Sequence, residues 1–328
     1  MLAASIQNNP AHEDPQRSVT VYLPPGYTTG KQSYPVIYFL HGYTSTDTEM
    51  VNWIGFQQLM DSAIRRGNLR PMIIVIPNSD TKYKGSFYTN STLTGNWADF
   101  IARDIVAWTD KNYRTIRDRN ARGLCGHSMG GNGALKIAMQ NPDVFGAVYA
   151  MSPAVLDWAS DFTLENPIFK TISTLNSSDK VFDKIEDAVQ TWDQSTFYVG
   201  VLTSIARTYS PDIQRSAFKA DFPVRYVQDS AIIDSQTVRK WEQNFPVNMI
   251  DSHISGLKSL AIKLDWGRND DFPHIPITSM RFSKKLESLG IPHDAEEYIG
   301  DHGNRIAGFD GRVYTEMLPF FDAHLKFK

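Results

Sequence analysis

The sequence predicts an α/β fold: a mostly parallel central sheet with helices on both faces and a mainly helical insertion. Three observations carry that expectation. Short apolar runs alternate with amphipathic ones through the first half of the chain, the pattern of strands joined by crossover helices. Two of the runs, at 34–40 and 72–76, are continuously apolar, as strands buried on both faces are. The alternation stops after Pro153 and resumes near Ser259, which marks an insertion at 154–256 within a core of 1–153 and 257–328. With 328 residues, 41% of them hydrophobic and 21% charged, the chain can bury a sizeable core.

The elements follow in order. Arg17 to Leu23 alternates as a strand, and Pro24-Pro25-Gly26 ends it. The run ending at Leu40 leads into His41-Gly42-Tyr43. Thr46 and Glu49 are spaced as a capping box, opening a helix expected to run to about Arg66 and stop at Gly67. Asn96 is placed to cap a helix with Trp97, Ile101, Ile105 and Trp108 on one face. A strand through Leu124 and Cys125 comes next, then a helix from Asn132 to Gln140, then a strand from Val144 to Ala150. Within the insertion, 181–194 and 235–244 are the clearest helices, and no buried strand is evident. It is rich in aromatics, among them Trp158, Trp192, Phe197, Tyr198, Trp241 and Phe245. Because α/β sheets bind ligands beyond the carboxyl ends of their strands, and the insertion leaves from such an end, it is expected to cap a pocket. The last quarter reads as a strand at 259–264, a helix at 276–289 and a strand at 293–299.

The turn between the Cys125 strand and its helix is Gly126-His127-Ser128-Met129-Gly130-Gly131, a G-x-S-x-G pattern. Strand, sharp glycine-flanked turn and helix form the context of a nucleophile elbow, which lifts a serine above the sheet at a helix N-terminus. A serine nucleophile needs a base, and the base an orienting acid; in such folds they follow in the order serine, acid, histidine. His302 lies in the loop Gly300-Asp301-His302-Gly303 after the last strand, where a base can reach over Ser128. Asp270, after the turn that Gly267 opens, is the favoured acid; Asp265 and Asp271 remain alternatives on the residues alone. Asp301 adjoins His302 in sequence and is a poor orienting acid. His127 reads as a packing residue and His41 as an organiser of its loop. His12, His253, His274, His293 and His324 sit in no comparable constellation.

These pieces resemble the esterase D-like branch of the α/β-hydrolase superfamily. The matching stretches are 21–27, 34–42, Gly85-Ser86-Phe87-Tyr88, 126–135, 267–270 and 300–302. The resemblance implies an α/β-hydrolase fold and a triad of Ser128, Asp270 and His302. It also implies an oxyanion hole made by the backbone N–H groups of Tyr43 and Met129. The expected activity is hydrolysis of short-chain or aryl carboxylic esters through an acyl-enzyme. Thioester hydrolysis or acyl transfer on the same triad is the alternative, and a binding module without catalysis is the reading of another class.

The net charge of −3 argues against nucleic acid or an anionic membrane as the main partner; the partner that the resemblance implies is a small-molecule ester. No cofactor or metal is called for. The single cysteine, Cys125, excludes an internal disulfide and reads as a buried strand residue. No apolar run approaches the length of a membrane span. The N-terminus lacks a signal-peptide pattern, so a cytoplasmic location is expected if the chain is complete as written, and a secreted or periplasmic one if it is not.

Overall fold

The computed structural model describes residues 1–175, 194–215 and 218–328. Its centre is a seven-stranded sheet. Among the described residues the strands are β1 (Val19–Tyr22), β2 (Val36–Leu40), β3 (Ile73–Pro77), β4 (Asn90–Ser91), β5 (Gly95–Asn96), β6 (Arg122–His127), β7 (Ala147–Met151), β8 (Val224–Val227), β9 (Ser230–Ile233), β10 (Ala261–Gly267) and β11 (Asp294–Tyr298). The large sheet has the order β1-β3-β2-β6-β7-β10-β11. Only β1 pairs antiparallel, against β3; the other pairs are parallel. This is the α/β architecture that the alternation predicts. β2, β3 and β7 are buried at every residue, which explains their uninterrupted apolar composition.

Local chemistry sets the helix boundaries. Thr46 caps the helix Asp47–Ile54, its side chain accepting from the Glu49 N–H at 3.3 Å. That helix stops at Gly55, whose φ of +74° breaks the continuous helix expected to Arg66; a second helix, Phe56–Arg65, starts there. Asn96 does not cap the helix that begins at Trp97. Asn90 does: its Oδ1 accepts from the Ala98 N–H at 3.0 Å and the Asp99 N–H at 3.1 Å. β4 and β5 form the small ribbon that carries Asn90 there, an arrangement no local pattern encodes.

In the 154–256 stretch the described helices include Ile168–Thr174, Gln194–Tyr209 and Ser235–Glu242. The expected helix at 181–194 falls, but for its last residue, outside the described residues. β8 and β9 pair as an exposed ribbon that the sequence reading missed. The aromatics divide. Trp158, Phe162, Trp241 and Phe245 pack on one another, with Trp158 stacked 4.8 Å from Phe162 and 5.7 Å from Trp241. They join the core instead of a pocket mouth. Phe197 and Tyr198 face the cavity described below.

Among the buried ionisable residues is a lysine. Lys136, on the helix Met129–Gln140, is buried and donates to the Thr89 hydroxyl and, at 3.2 Å, to the Tyr209 hydroxyl. Burial lowers its titration from 10.5 to about 7. Between those values the unfolded chain holds a proton that the folded chain has lost, so stability rises with pH across the window. Below about pH 7 the folded protein carries the buried charge and the penalty is complete. Lys136→Met is therefore expected to raise Tm by several degrees at pH 7, the gain shrinking as pH approaches 10. Thermal melts of both proteins across that range check it; a gain that does not shrink contradicts the assignment.

Candidate active site

The site forms where β2, β6, β10 and β11 end. Ser128 follows β6 directly, with φ +59° and ψ −119°, a conformation uncommon for a residue with a side chain. The flanking glycines make that turn feasible. A Cβ on Gly130 would stand 2.0 Å from the Leu40 carbonyl oxygen, and one on Gly126 2.5 Å from the backbone of Gly130. Both distances are impossible, so these two positions admit no side chain. The Ser128 N–H donates to the Met151 carbonyl at 3.0 Å, and the Ser128 carbonyl accepts from Asn132 and Ala154. Ser128 thus projects from a fixed backbone at the start of the helix Met129–Gln140.

A cavity of about 490 Å³ opens over Ser128. Its walls include Tyr43, Trp53, Phe197, Phe272, His274 and His302. His302 Nδ1 lies 2.9 Å from Asp270 Oδ2, and the other Asp270 oxygen accepts from the Phe272 N–H at 2.9 Å. The Asp270 side chain is fully buried while the imidazole keeps some exposure to the cavity. Phe272 sets its ring edge-on to His302, 4.9 Å between centroids. Among the described residues, no hydrogen bond joins the Ser128 hydroxyl to His302. Such bonds often tighten only when substrate is bound.

The other carboxylates have separate work. Asp265 lies inside β10, and its Oδ2 accepts from Arg312 Nε at 2.7 Å and from the Tyr149 hydroxyl at 2.6 Å. It holds the last strands to the C-terminal helical segment. Asp301 accepts from the N–H groups of Gly303 and Asn304 at 3.0 and 2.7 Å, and so shapes the loop that carries His302. Asp271 is exposed on the turn.

The two histidines beside the serine act through the backbone. His41 Nε2 accepts from the Ser79 N–H at 2.8 Å. The ring proton is therefore on Nδ1, which donates to the Gly42 carbonyl at 2.8 Å. Fixing that carbonyl fixes the Gly42–Tyr43 peptide plane, and with it the direction of the Tyr43 N–H. Among the described residues neither the Tyr43 N–H nor the Met129 N–H has a protein acceptor, and Met129 is the first residue of its helix. His127 donates from Nε2 to the His302 carbonyl at 2.8 Å, and their rings lie 4.7 Å apart. The sequence reading of His127 as packing only is thus corrected: it ties the elbow to the loop of the other histidine. Burial holds His41 at about 4 and His127, which also feels His302, at about 3, so both stay neutral at physiological pH. A second correction concerns His274. Its Nδ1 lies 3.0 Å from Asp161 Oδ2, a constellation formed across 113 residues of chain that spacing could not show. Cys125 is buried, and burial raises its thiol well above the ordinary value. Among the described residues, no group of three or more His, Cys, Asp or Glu could hold a metal ion, and no helix is long and apolar enough to cross a membrane.

The sheet order, with a strained serine after a central parallel strand and a histidine–aspartate pair from the loops of the last two, defines an α/β-hydrolase fold. Comparison with known proteins agrees. Residues 13–311 match the family described as "Putative esterase", and the chain belongs to it. It is 28% identical over 290 residues to Esterase Rv1288 of Mycobacterium tuberculosis, covering 87% of this chain and 52% of that one. It is 30% identical over 154 residues to an S-formylglutathione hydrolase of Paracoccus denitrificans, 43% of this chain and 53% of the relative. The chain thus spans about half the length of these relatives. Among solved structures, a ferulic acid esterase superposes with a TM-score of 0.60 at 22% identity, covering 94% and 93% of the two chains. The S-formylglutathione hydrolase of Staphylococcus aureus superposes at 0.55 and 15% identity, covering 94% and 93%. At those identities the likeness is one of fold.

Proposed function

We propose that this protein is a serine carboxylesterase acting on short-chain or aryl esters. Ser128 is the nucleophile, His302 the base and Asp270 the acid. The observation that carries the reading is the shared cavity: Ser128 on its strained turn and His302 on its carboxylate face the same apolar space. In the reaction His302 Nε2 takes the Ser128 proton as the hydroxyl attacks the ester carbonyl, and then returns it to the leaving alcohol. Asp270 keeps the Nδ1 proton in place and stabilises the imidazolium. The oxyanion is held by the N–H groups of Tyr43 and Met129, which have no other acceptor; one such donor is typically worth about 3–4 kcal/mol. The base must be neutral, so kcat/KM falls on acidification. Neither His41 nor His127 produces that fall at neutral pH, since burial keeps both uncharged down to about 4.

The 154–256 stretch serves as a cap. Ala154, Val155, Phe197, Tyr198 and Val201 supply one wall of the cavity, and their apolar surface favours acyl or aryl groups. The cavity is half open, which favours short ones. Thioester hydrolysis needs the same groups, and the similarity to proteins named S-formylglutathione hydrolase makes it the second substrate to try. The test is a panel of p-nitrophenyl esters from acetate to palmitate, with aryl esters and S-formylglutathione beside them. Acetate to butyrate are expected to exceed palmitate by at least about tenfold in kcat/KM, since the half-open cavity leaves the far end of a long chain in water. Equal or better turnover of palmitate contradicts the short-chain reading, and no turnover of any ester contradicts the function.

A further inference from the structure

Four rings follow one another around the cavity, from His302 to Tyr43. The His302 ring meets Phe272 edge-on, 4.9 Å between centroids. Phe272 stacks on Phe197 at 5.6 Å with 27° between the planes. Phe197 in turn meets the Tyr43 ring edge-on, at 5.4 Å and 88°. All four residues line the cavity, and of the four Phe197 alone comes from the 154–256 stretch. Each link is anchored. The Phe272 N–H donates to Asp270 Oδ1 at 2.9 Å, and its carbonyl accepts from the Ile275 N–H at 2.9 Å. Pro273 follows and restricts the Phe272 backbone further, so the direction of the ring is set. Tyr43 is held at its tip, where the hydroxyl donates to the Tyr83 carbonyl at 2.8 Å. It is held at its flank by Gly85, where a Cβ would stand 2.5 Å from Tyr43 Cδ2. Phe197 is buried on the helix Gln194–Tyr209, and the Ser204 hydroxyl of that helix donates to the same Tyr83 carbonyl. The helix is therefore tied to Tyr43 twice, through a ring contact and through a shared acceptor. Offset-stacked and edge-on rings attract beyond the area they bury, which makes such contacts directional.

We infer that Phe197 is a positioning residue: the ring that the insertion supplies sets the spacing between the His302 imidazole and the Tyr43 N–H, through Phe272 on one side and the Tyr43 ring on the other. This rests on the serine-esterase reading, in which both groups act on one ester carbonyl. His302 serves the attacking Ser128 oxygen, and the Tyr43 N–H serves the carbonyl oxygen one bond away from it. Two groups with that task must keep their separation to within about 0.5 Å. They sit on loops far apart in the chain, and Phe197 is where the ring contacts from both loops meet. The insertion thereby contributes to the chemical step as well as to the wall of the pocket.

The experiment measures kcat and KM for p-nitrophenyl acetate, and the rate at which a small fluorophosphonate labels Ser128. It uses the wild type, Phe197→Leu, Phe272→Leu and the double variant, each with a melting curve. Leucine fills most of the space and takes away the ring. Phe197→Leu is expected to lower kcat about 10- to 100-fold and to change KM by less than about threefold, since a misplacement of about 1 Å costs that much in rate. Labelling should slow by a similar factor, because it draws on the same base and the same N–H donors without filling the ester pocket. The double variant should be little slower than the slower single variant, since either substitution breaks the same chain of rings. Phe197→Tyr, which restores a ring, should recover most of the lost kcat. If Phe197→Leu does not fold, Phe197→Met takes its place, with the same losses expected. A raised KM with kcat and labelling unchanged would show that Phe197 is pocket wall only, and overturns the inference while leaving the esterase intact. Losses that multiply in the double variant would also overturn it, because the two rings would then act separately. Failure of the wild type to hydrolyse any ester or to be labelled would overturn the esterase reading itself, and this inference with it.

Discussion

Ser128→Ala is expected to lower kcat by about a million-fold, as removal of the serine does in a triad protease. The hydroxyl is the only atom that the substitution removes, and it leaves the elbow as it was. The turn is set by the glycines at 126 and 130 and by the backbone bonds of residue 128 to Met151, Asn132 and Ala154, none of which involves the side chain. Alanine meets the same φ of +59° as serine, so the variant should melt within a degree or two of the wild type. Residual turnover would come from binding and from the Tyr43 and Met129 donors alone. The measurement is hydrolysis of p-nitrophenyl acetate with a melting curve beside it. A variant that folds and keeps near-wild-type turnover would show that the elbow serine is idle.

Asp270→Asn is expected to cost on the order of 10⁴ in kcat, because an amide in that position no longer holds the Nδ1 proton or stabilises the imidazolium. The comparison with its neighbours makes this decisive. Asp265→Asn removes a charge that Arg312 and Tyr149 hold inside the fold, so it should lower Tm by several degrees and change kcat by less than about tenfold. Asp301→Asn loosens the loop around His302 without touching the ring, and should fall between the two. The three variants separate chemistry from scaffold: one changes kcat with Tm nearly constant, one changes Tm with kcat nearly constant. If Asp265→Asn proves the more crippling to kcat, the orienting acid has been placed on the wrong carboxylate.

The sequence made some of this legible and hid the rest, for physical reasons. Buried parallel strands must be apolar on both faces, so β2 and β3 stood out as uninterrupted runs, and their paired burial is what the structure has. The elbow is a local steric solution, and local solutions leave local signatures: glycine where a Cβ would strike Leu40, serine between strand and helix. Capping by Thr46 was readable for the same reason. What escaped was non-local. Asn90 caps a helix from across a two-stranded ribbon, displacing the role expected of Asn96. His127 holds a carbonyl 175 residues away, and His274 meets an aspartate 113 residues away. Neither separation has any counterpart in periodicity or spacing. The aromatics of 154–256 were visible as composition, yet composition could not divide Trp158 and Trp241, which stack into the core, from Phe197 and Tyr198, which face the cavity.

The claim on which the rest depends is that Ser128 is the nucleophile made reactive by His302. Treatment with a fluorophosphonate, followed by proteolysis and mass spectrometry, tests it most directly. The predicted result is one covalent adduct per chain on the peptide carrying Ser128, with loss of ester hydrolysis in proportion to labelling, and slow labelling in His302→Ala. Labelling at another residue, or full labelling of Ser128 with hydrolysis undiminished, would contradict it.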